Sequence, residues 1–105
     1  IIDIVVDKFA IRKYFSYLVS GENVENGKPA PDIFLKVAEL LKISCDNCLV
    51  IEDSYNGVLA AKSANMKCIG YSNSNSYNQD LTKADYIIDD FNKLNVNTLL
   101  EIMNR

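Results

Sequence analysis

The chain has 105 residues, a formal net charge of -3, 49% hydrophobic residues and 24% charged residues. These shares are close to those of average soluble globular proteins, which excludes a disordered or fibrous class. The net negative charge and the lack of a basic run argue against non-specific binding to nucleic acid or to an anionic membrane. We expect a single domain over residues 1–105 whose partner is a small molecule.

The sequence also bears on the cellular compartment. No apolar stretch approaches the roughly 20 residues that span a bilayer, and residues 1–8 lack the basic start of a signal peptide. Three cysteines are an odd number in a chain without a secretory signal, which disfavours a disulfide framework. These observations predict a cytoplasmic protein.

The first quarter of the sequence predicts a helix, a short strand and a polar loop. Four apolar residues share one helical face: Ile1, Ile4, Val5 and Phe9. We therefore expect a helix over about residues 1–14 and, because no capping residue precedes it, a truncated N-terminus. Tyr17–Ser20 has the composition of a short strand, and residues 21–27 that of a polar loop.

The rest of the sequence alternates helical and extended patterns. Pro31 suits the first turn of a helix, in which Asp32 favours the positive end of the dipole. The apolar run Leu49–Ile51 predicts a buried strand, and Ser54 is placed to cap the helix after it. Four further elements are expected: a strand at Cys68–Tyr71, a surface loop at 72–78, a strand at Tyr86–Ile88 and a helix at Leu94–Met103. Strands separated by helices predict a doubly wound α/β fold with a parallel sheet.

Two motifs carry the chemistry: Gly27-Lys28-Pro29-Ala30-Pro31-Asp32 and Val50-Ile51-Glu52-Asp53-Ser54-Tyr55-Asn56-Gly57. The acidic pair Glu52 and Asp53 follows one predicted strand, and Lys28 lies in the loop after another. Because ligands bind beyond the carboxyl ends of such strands, we expect these groups to meet at one edge of the sheet. Mg²⁺ usually takes one or two carboxylates plus water and phosphate oxygens. We therefore predict Asp53 first, and Glu52 with it, as metal ligands, and Lys28 as the catalytic and substrate-binding cation for phosphate oxygens.

The same motifs make the sequence similar to the C-terminal core portion of haloacid dehalogenase-like phosphatases, within the β-phosphoglucomutase-like subgroup. Four stretches carry the resemblance: Val19–Glu22, Gly27–Phe34, Val50–Gly57 and Ala60–Lys62. It covers nearly the whole chain. It implies a Rossmann-like core in which Lys28 stabilises the transferring phosphoryl group, Asp53 binds Mg²⁺ and Glu52 assists.

The resemblance implies a magnesium-dependent hydrolase or phosphotransferase that acts on a small phosphomonoester, either a phosphatase or a sugar phosphomutase. Members of the family form an aspartyl-phosphate on the first Asp of an Asp-x-Asp motif, which the sequence lacks. We therefore expect a core without its central strand and cap domain, inactive by itself and prone to self-association or swapping through an exposed sheet edge. The alternative is a non-catalytic α/β module that needs a partner to complete its sheet.

Cys45 and Cys48 form the main competing motif, since two cysteines at this spacing suit a redox pair or half of a zinc site. Structural zinc generally needs four ligands, and the sequence has no His. The pair lies between a predicted helix end and a predicted buried strand, where Cys48 suits packing as a small apolar residue. The packing role is the favoured interpretation.

Overall fold

The computed structural model describes residues 4–7, 26–72 and 79–104. Helices and strands alternate in this part of the chain, except that the third and fourth strands follow each other with no described helix between them. The regular elements in this part are β1 (Ile4–Asp7), α1 (Asp32–Leu41), β2 (Cys48–Glu52), α2 (Tyr55–Ser63), β3 (Lys67–Tyr71), β4 (Tyr86–Ile88) and α3 (Val96–Met103). Short 3-10 turns lie at Cys45–Asn47 and Phe91–Lys93. The strand predicted at Tyr17–Ser20 and most of the loop predicted at 72–78 lie outside the described residues.

The strands form one sheet in the order β1–β2–β3–β4. β2, β3 and β4 are parallel, as predicted, and α2 connects β2 to β3. β1 runs antiparallel to β2, with Ile4 opposite Ile51 and Asp7 opposite Cys48. The predicted α/β fold is confirmed, and the antiparallel β1 makes the described sheet mixed instead of purely parallel.

The helix predicted over residues 1–14 is wrong at Ile4–Asp7, which form β1. Ile4, Val5 and Val6 are β-branched, so their side chains fit an extended backbone better than a helix. Their spacing also matches a helical face, but in the extended conformation their backbone groups form hydrogen bonds with β2. In the described sheet, β1 therefore lies next to β2, and β1 and β4 are the outer strands.

Two apolar clusters cover the sheet, one on each face. Cys48 and Val50 belong to the cluster formed with α1 and α2, whereas Leu49 and Ile51 belong to the cluster formed with α3. The helical residues of the first cluster are Ile33, Phe34, Val37, Ala38, Val58, Ala60 and Ala61, and those of the second are Leu99, Ile102 and Met103. All five residues of β2 are buried, as the continuous apolar run predicted for a strand covered on both faces.

Polar side chains cap the starts of two helices. Ser54 caps α2 by accepting a hydrogen bond from the Gly57 N–H at 3.0 Å, which confirms the sequence prediction. Asn95 caps α3 in the same way, through the Thr98 N–H at 2.9 Å. Each cap satisfies an N–H group that has no partner within its helix. None of the helices in the described residues has the length and hydrophobicity needed to span a bilayer.

The C-terminal end of α2 is tied to the sheet by Asp85. Its Oδ2 accepts hydrogen bonds from Lys62 Nζ and from the Cys68 N–H, both at 2.8 Å. Lys62 Nζ also donates to the Met66 carbonyl at 3.2 Å. Burial by itself raises the pKa of Asp85, but the hydrogen bonds from Lys62 and Cys68, with the charges of Lys62 and Lys67, outweigh burial and hold that pKa below its ordinary value. One carboxylate thus joins α2, β3 and the approach to β4.

Candidate active site

Lys28 lies in the loop that leads into α1. The Ala30 N–H donates to the Gly27 carbonyl at 3.0 Å. The main-chain N–H and the side-chain amide of Asn26 both donate to Asp32 Oδ2, at 3.1 and 3.2 Å. Asp32 therefore does more than favour the helix dipole, because its carboxylate also ties the start of the loop to the first turn of α1.

The Lys28 ammonium meets the acidic end of β2. Its Nζ lies 3.0 Å from Glu52 Oε2 and 5.4 Å from the centre of the Phe34 ring. The side chain of Lys28 is 21% exposed and that of Glu52 is fully buried. The carboxylate and the ring face both favour a cation at this point. The predicted convergence of Lys28 with the acidic pair is confirmed at Glu52.

Glu52 is the centre of a hydrogen-bond network. Its Oε1 accepts from the Asp53 N–H at 3.2 Å, the Ser54 N–H at 3.3 Å and Ser54 Oγ at 3.0 Å. Lys28 donates to the other carboxylate oxygen, Oε2, so both oxygens of Glu52 accept hydrogen bonds. Burial of the Glu52 charge is therefore compensated within the protein. Its role as a metal ligand beside Asp53 stays a prediction.

Asp53 follows β2 directly and is half-buried. Within residues 4–7, 26–72 and 79–104, its Oδ1 is the one buried side-chain oxygen or nitrogen that lacks a hydrogen-bond partner. Leaving a buried acceptor unpaired costs stability, and carboxylate oxygens are the ligands that hard cations prefer. The described residues contain no group of three or more His, Cys, Asp or Glu suited to a metal. This part of the chain could therefore supply the acidic pair, with the remaining ligands coming from elsewhere.

Three contributions to this region were missed by sequence reasoning. Gly57 lies so close to Glu52 that a Cβ atom there would overlap the Glu52 side chain. The Phe34 ring supports Lys28, and Gln79 Oε1 accepts the Tyr55 N–H in the first turn of α2 at 2.8 Å. Gly57 could have been noticed in the sequence, because Gly within a helix lowers stability by up to about 1 kcal/mol relative to Ala. A glycine at such a position therefore indicates a local requirement for small size or for an unusual backbone conformation.

Cys48, in the competing motif formed with Cys45, packs as a core residue. Cys48 is fully buried in the cluster beneath α1 and α2, and its Sγ lies 3.5 Å from the Ser44 carbonyl. Cys45 is partly buried at the first position of the 3-10 turn, and the two cysteines are not joined by a disulfide bond. The environment of Cys48 supports the packing role over the redox pair and the zinc half-site.

The fold and these motifs match a known family over most of the chain. The model of the haloacid dehalogenase-like hydrolase family matches residues 1–71. The chain belongs to this hydrolase family. The resemblance predicted from the motifs is thereby confirmed, and the described elements form part of the α/β core of a haloacid dehalogenase-like hydrolase.

Three relatives show how much of such a hydrolase the chain represents. Phosphoglycolate phosphatase of Escherichia coli K12 is 38% identical over 86 residues, which are 80% of this chain and 34% of that protein. The solved β-phosphoglucomutase of Clostridium difficile is 34% identical with a TM-score of 0.72, over 86% of this chain and 39% of that one. CbbY of Rhodobacter sphaeroides, solved with xylulose-(1,5)bisphosphate, is 31% identical with a TM-score of 0.70, over 80% and 37%. The chain thus spans somewhat more than a third of the length of these relatives.

Proposed function

We propose that the protein carrying this chain is a magnesium-dependent phosphoryl-transfer enzyme that acts on a small phosphomonoester, as a phosphatase or a sugar phosphomutase. The observation that carries the proposal is the Lys28 ammonium, fixed 3.0 Å from the buried Glu52 carboxylate. Asp53, the next residue, has a buried oxygen without a partner in the described residues. An ammonium and a carboxylate thus lie where β2 ends, the edge at which α/β sheets bind ligands, and this supports roles for them in binding phosphate and a metal ion.

Lys28 provides the electrostatic part of the proposed reaction. Phosphoryl transfer spreads negative charge over the phosphoryl oxygens, and proteins accelerate it mainly by positioning and by charge stabilisation. An ammonium has three N–H donors, so Lys28 is able to donate to a phosphate oxygen while it donates to Glu52. The limited exposure of Lys28 strengthens its interaction with an anion, because less water screens the charge.

The acidic pair suits Mg²⁺, which binds one or two carboxylates together with water and phosphate oxygens. Asp53 would hold the ion through its side chain. Glu52 would assist by accepting the Asp53 N–H at 3.2 Å, which fixes the backbone that carries the ligand. When bound, Mg²⁺ would neutralise charge on the phosphoryl oxygens. The unpaired Asp53 Oδ1 supports this assignment, since an ion would give that oxygen a partner.

The phosphoryl acceptor is an aspartate outside the residues assigned here, as the family resemblance implies. The bond from phosphorus to the ester oxygen breaks while a bond to the carboxylate oxygen forms, and the alcohol leaves with a proton from the second Asp of the Asp-x-Asp motif, which the resemblance implies is the general acid. In a phosphatase, water then cleaves the acyl phosphate. We predict no turnover by the 105-residue chain alone, and a cytoplasmic location for the protein that carries it.

Hydrolysis of p-nitrophenyl phosphate by the whole protein tests this assignment. With Mg²⁺ present, we expect Lys28→Ala and Asp53→Ala each to lower kcat by about 100-fold or more, as for loss of other charge-stabilising groups. Chelation of divalent ions should abolish turnover by the wild type. The matched controls are the exposed residues of like charge, Lys83→Ala and Asp46→Asn. Wild-type rates in Lys28→Ala, or equal losses in the controls, would overturn the assignment.

Phosphatase and mutase activity are separated by the fate of the phosphoryl group. Incubation of the whole protein with an aldose 1-phosphate, followed by ³¹P NMR, gives inorganic phosphate for a phosphatase and an isomeric sugar phosphate for a mutase. Absence of both products, with every aldose phosphate and with p-nitrophenyl phosphate, would favour the non-catalytic α/β module.

A further inference from the structure

We propose that Ser54 and Gly57 are positioning residues that set the location of the Lys28 ammonium by fixing the Glu52 carboxylate. The inference rests on the proposed function, in which Lys28 contacts phosphate, and it adds two residues to that machinery. Neither residue has a charge to offer a substrate. Their effect on Lys28 is transmitted through Glu52, whose carboxylate both of them adjoin.

The directions of the hydrogen bonds around Ser54 follow from the chemistry of the groups. Gly57 N–H has only a proton to give, so Ser54 Oγ accepts from it at 3.0 Å. The ionised Glu52 carboxylate only accepts, so the Ser54 hydroxyl proton is donated to Oε1 at 3.0 Å. The other carboxylate oxygen, Oε2, accepts from Lys28 Nζ at 3.0 Å. Hydrogen bonds from the first turn of α2 and from Lys28 therefore converge on the two oxygens of the Glu52 carboxylate.

Gly57 is required by space and not by its backbone conformation. No glycine in the described residues has a positive φ, so the backbone of Gly57 would accept any L-residue. A Cβ atom at this position would nevertheless overlap Cγ, Cδ and Oε1 of Glu52. Because the Glu52 side chain is fully buried, a methyl group here forces either the carboxylate or the first turn of α2 to move.

Lys28 depends on Glu52 for its placement because it lies on a loop. The Phe34 ring also lies near Lys28, 5.4 Å from Nζ to the ring centre, but a ring face fixes a cation less sharply than a carboxylate oxygen does. Misplacement of a catalytic group by about 1 Å lowers rates by up to about 100-fold. Displacement of Glu52 should therefore reduce kcat even though every charged residue is still present.

The experiment compares variants of the whole protein by crystal structure and by kinetics. Gly57→Ala introduces the overlapping methyl group. Ser54→Gly removes the hydroxyl while keeping a residue type that serves at helix caps, and Ser54→Thr keeps the hydroxyl. Asn95→Ala removes the equivalent cap from α3, which packs in the other apolar cluster, and is the control for loss of helix capping.

We expect Gly57→Ala and Ser54→Gly to separate Lys28 Nζ from Glu52 Oε2 beyond hydrogen-bond distance. Their kcat for p-nitrophenyl phosphate should fall by about 10- to 100-fold with a smaller change in KM, and Ser54→Thr should restore it. Asn95→Ala should lower thermal stability while leaving kcat unchanged.

Two results would overturn the inference. One is an intact contact between Lys28 and Glu52 in both Gly57→Ala and Ser54→Gly. The other is wild-type kcat in a variant whose contact is broken, provided that Lys28→Ala is inactive. The structural result is independent of catalysis: a broken contact in a protein without phosphatase or mutase activity would support the positioning roles and reject the proposed function.

Discussion

Replacing Lys28 by Met tests the energetic importance of the contact at the end of β2. The substitution keeps a long apolar side chain against Phe34 and leaves the fully buried Glu52 carboxylate without its cation. Removing one partner of a fully buried ion pair costs about 3–5 kcal/mol. Because Lys28 is 21% exposed and Glu52 keeps three hydrogen-bond donors, we expect about 2 kcal/mol of lost unfolding free energy.

A double-mutant cycle with Glu52→Gln isolates the ionic contribution. Glu52→Gln removes the charge and keeps the shape, so the doubly substituted protein contains no uncompensated carboxylate. We expect its loss of stability to be smaller than the sum of the two single losses by about 1 kcal/mol or more. Urea denaturation followed by circular dichroism measures all four proteins. Additivity within about 0.5 kcal/mol would refute the claim that Lys28 and Glu52 stabilise the fold as a pair.

Three further predictions concern other parts of the described chain. Asp53→Ala should raise the unfolding free energy in the absence of divalent ions by about 1 kcal/mol, because it removes the unpaired buried oxygen, and a urea midpoint below that of the wild type would contradict this. Asp85 has a lowered pKa when folded, so its stabilising effect is present above its unfolded pKa of about 4 and is lost as the pH falls through the folded value. Urea midpoints should therefore fall more steeply below about pH 5 for the wild type than for Asp85→Asn, and parallel curves would reject this role of Asp85. Ala61→Val should destabilise the protein by about 1–3 kcal/mol in thermal denaturation, because Ala61 is fully buried between α2 and the sheet, and an unchanged midpoint would show that this packing is loose.

The sequence predicted those parts of the fold in which local pattern and long-range packing agree. The apolar run at Leu49–Ile51 could be buried on both faces only as a central strand, and β2 is such a strand. Pro31 and Ser54 mark the starts of α1 and α2, as their backbone and capping preferences require. Residues 4–7 were assigned wrongly because their apolar spacing fits a helix as well as a strand, and pairing with β2 decides between the two.

The candidate site could be predicted in outline but not in detail. The rule that ligands bind beyond the ends of parallel strands brought Lys28 and Glu52 to one edge, and the structure places them there. The hydrogen bonds that Asp53 and Ser54 donate to Glu52 Oε1 were not predictable, because they depend on the path of the backbone after β2. The close approach of Gly57 to Glu52 was not predictable either, because it depends on how the first turn of α2 packs against the end of β2.

Asp85 gives α2 a fixed far end, as Glu52 and Ser54 fix its near end. The helix is therefore held at both ends by carboxylates of residues in or next to the sheet, which restricts its movement along the sheet. Changes in side-chain length along its outer surface should therefore leave the distance from Ser54 to Lys62 unaltered. For protein engineering, this makes the outward-facing positions of α2 suitable points for attaching a label or a tether.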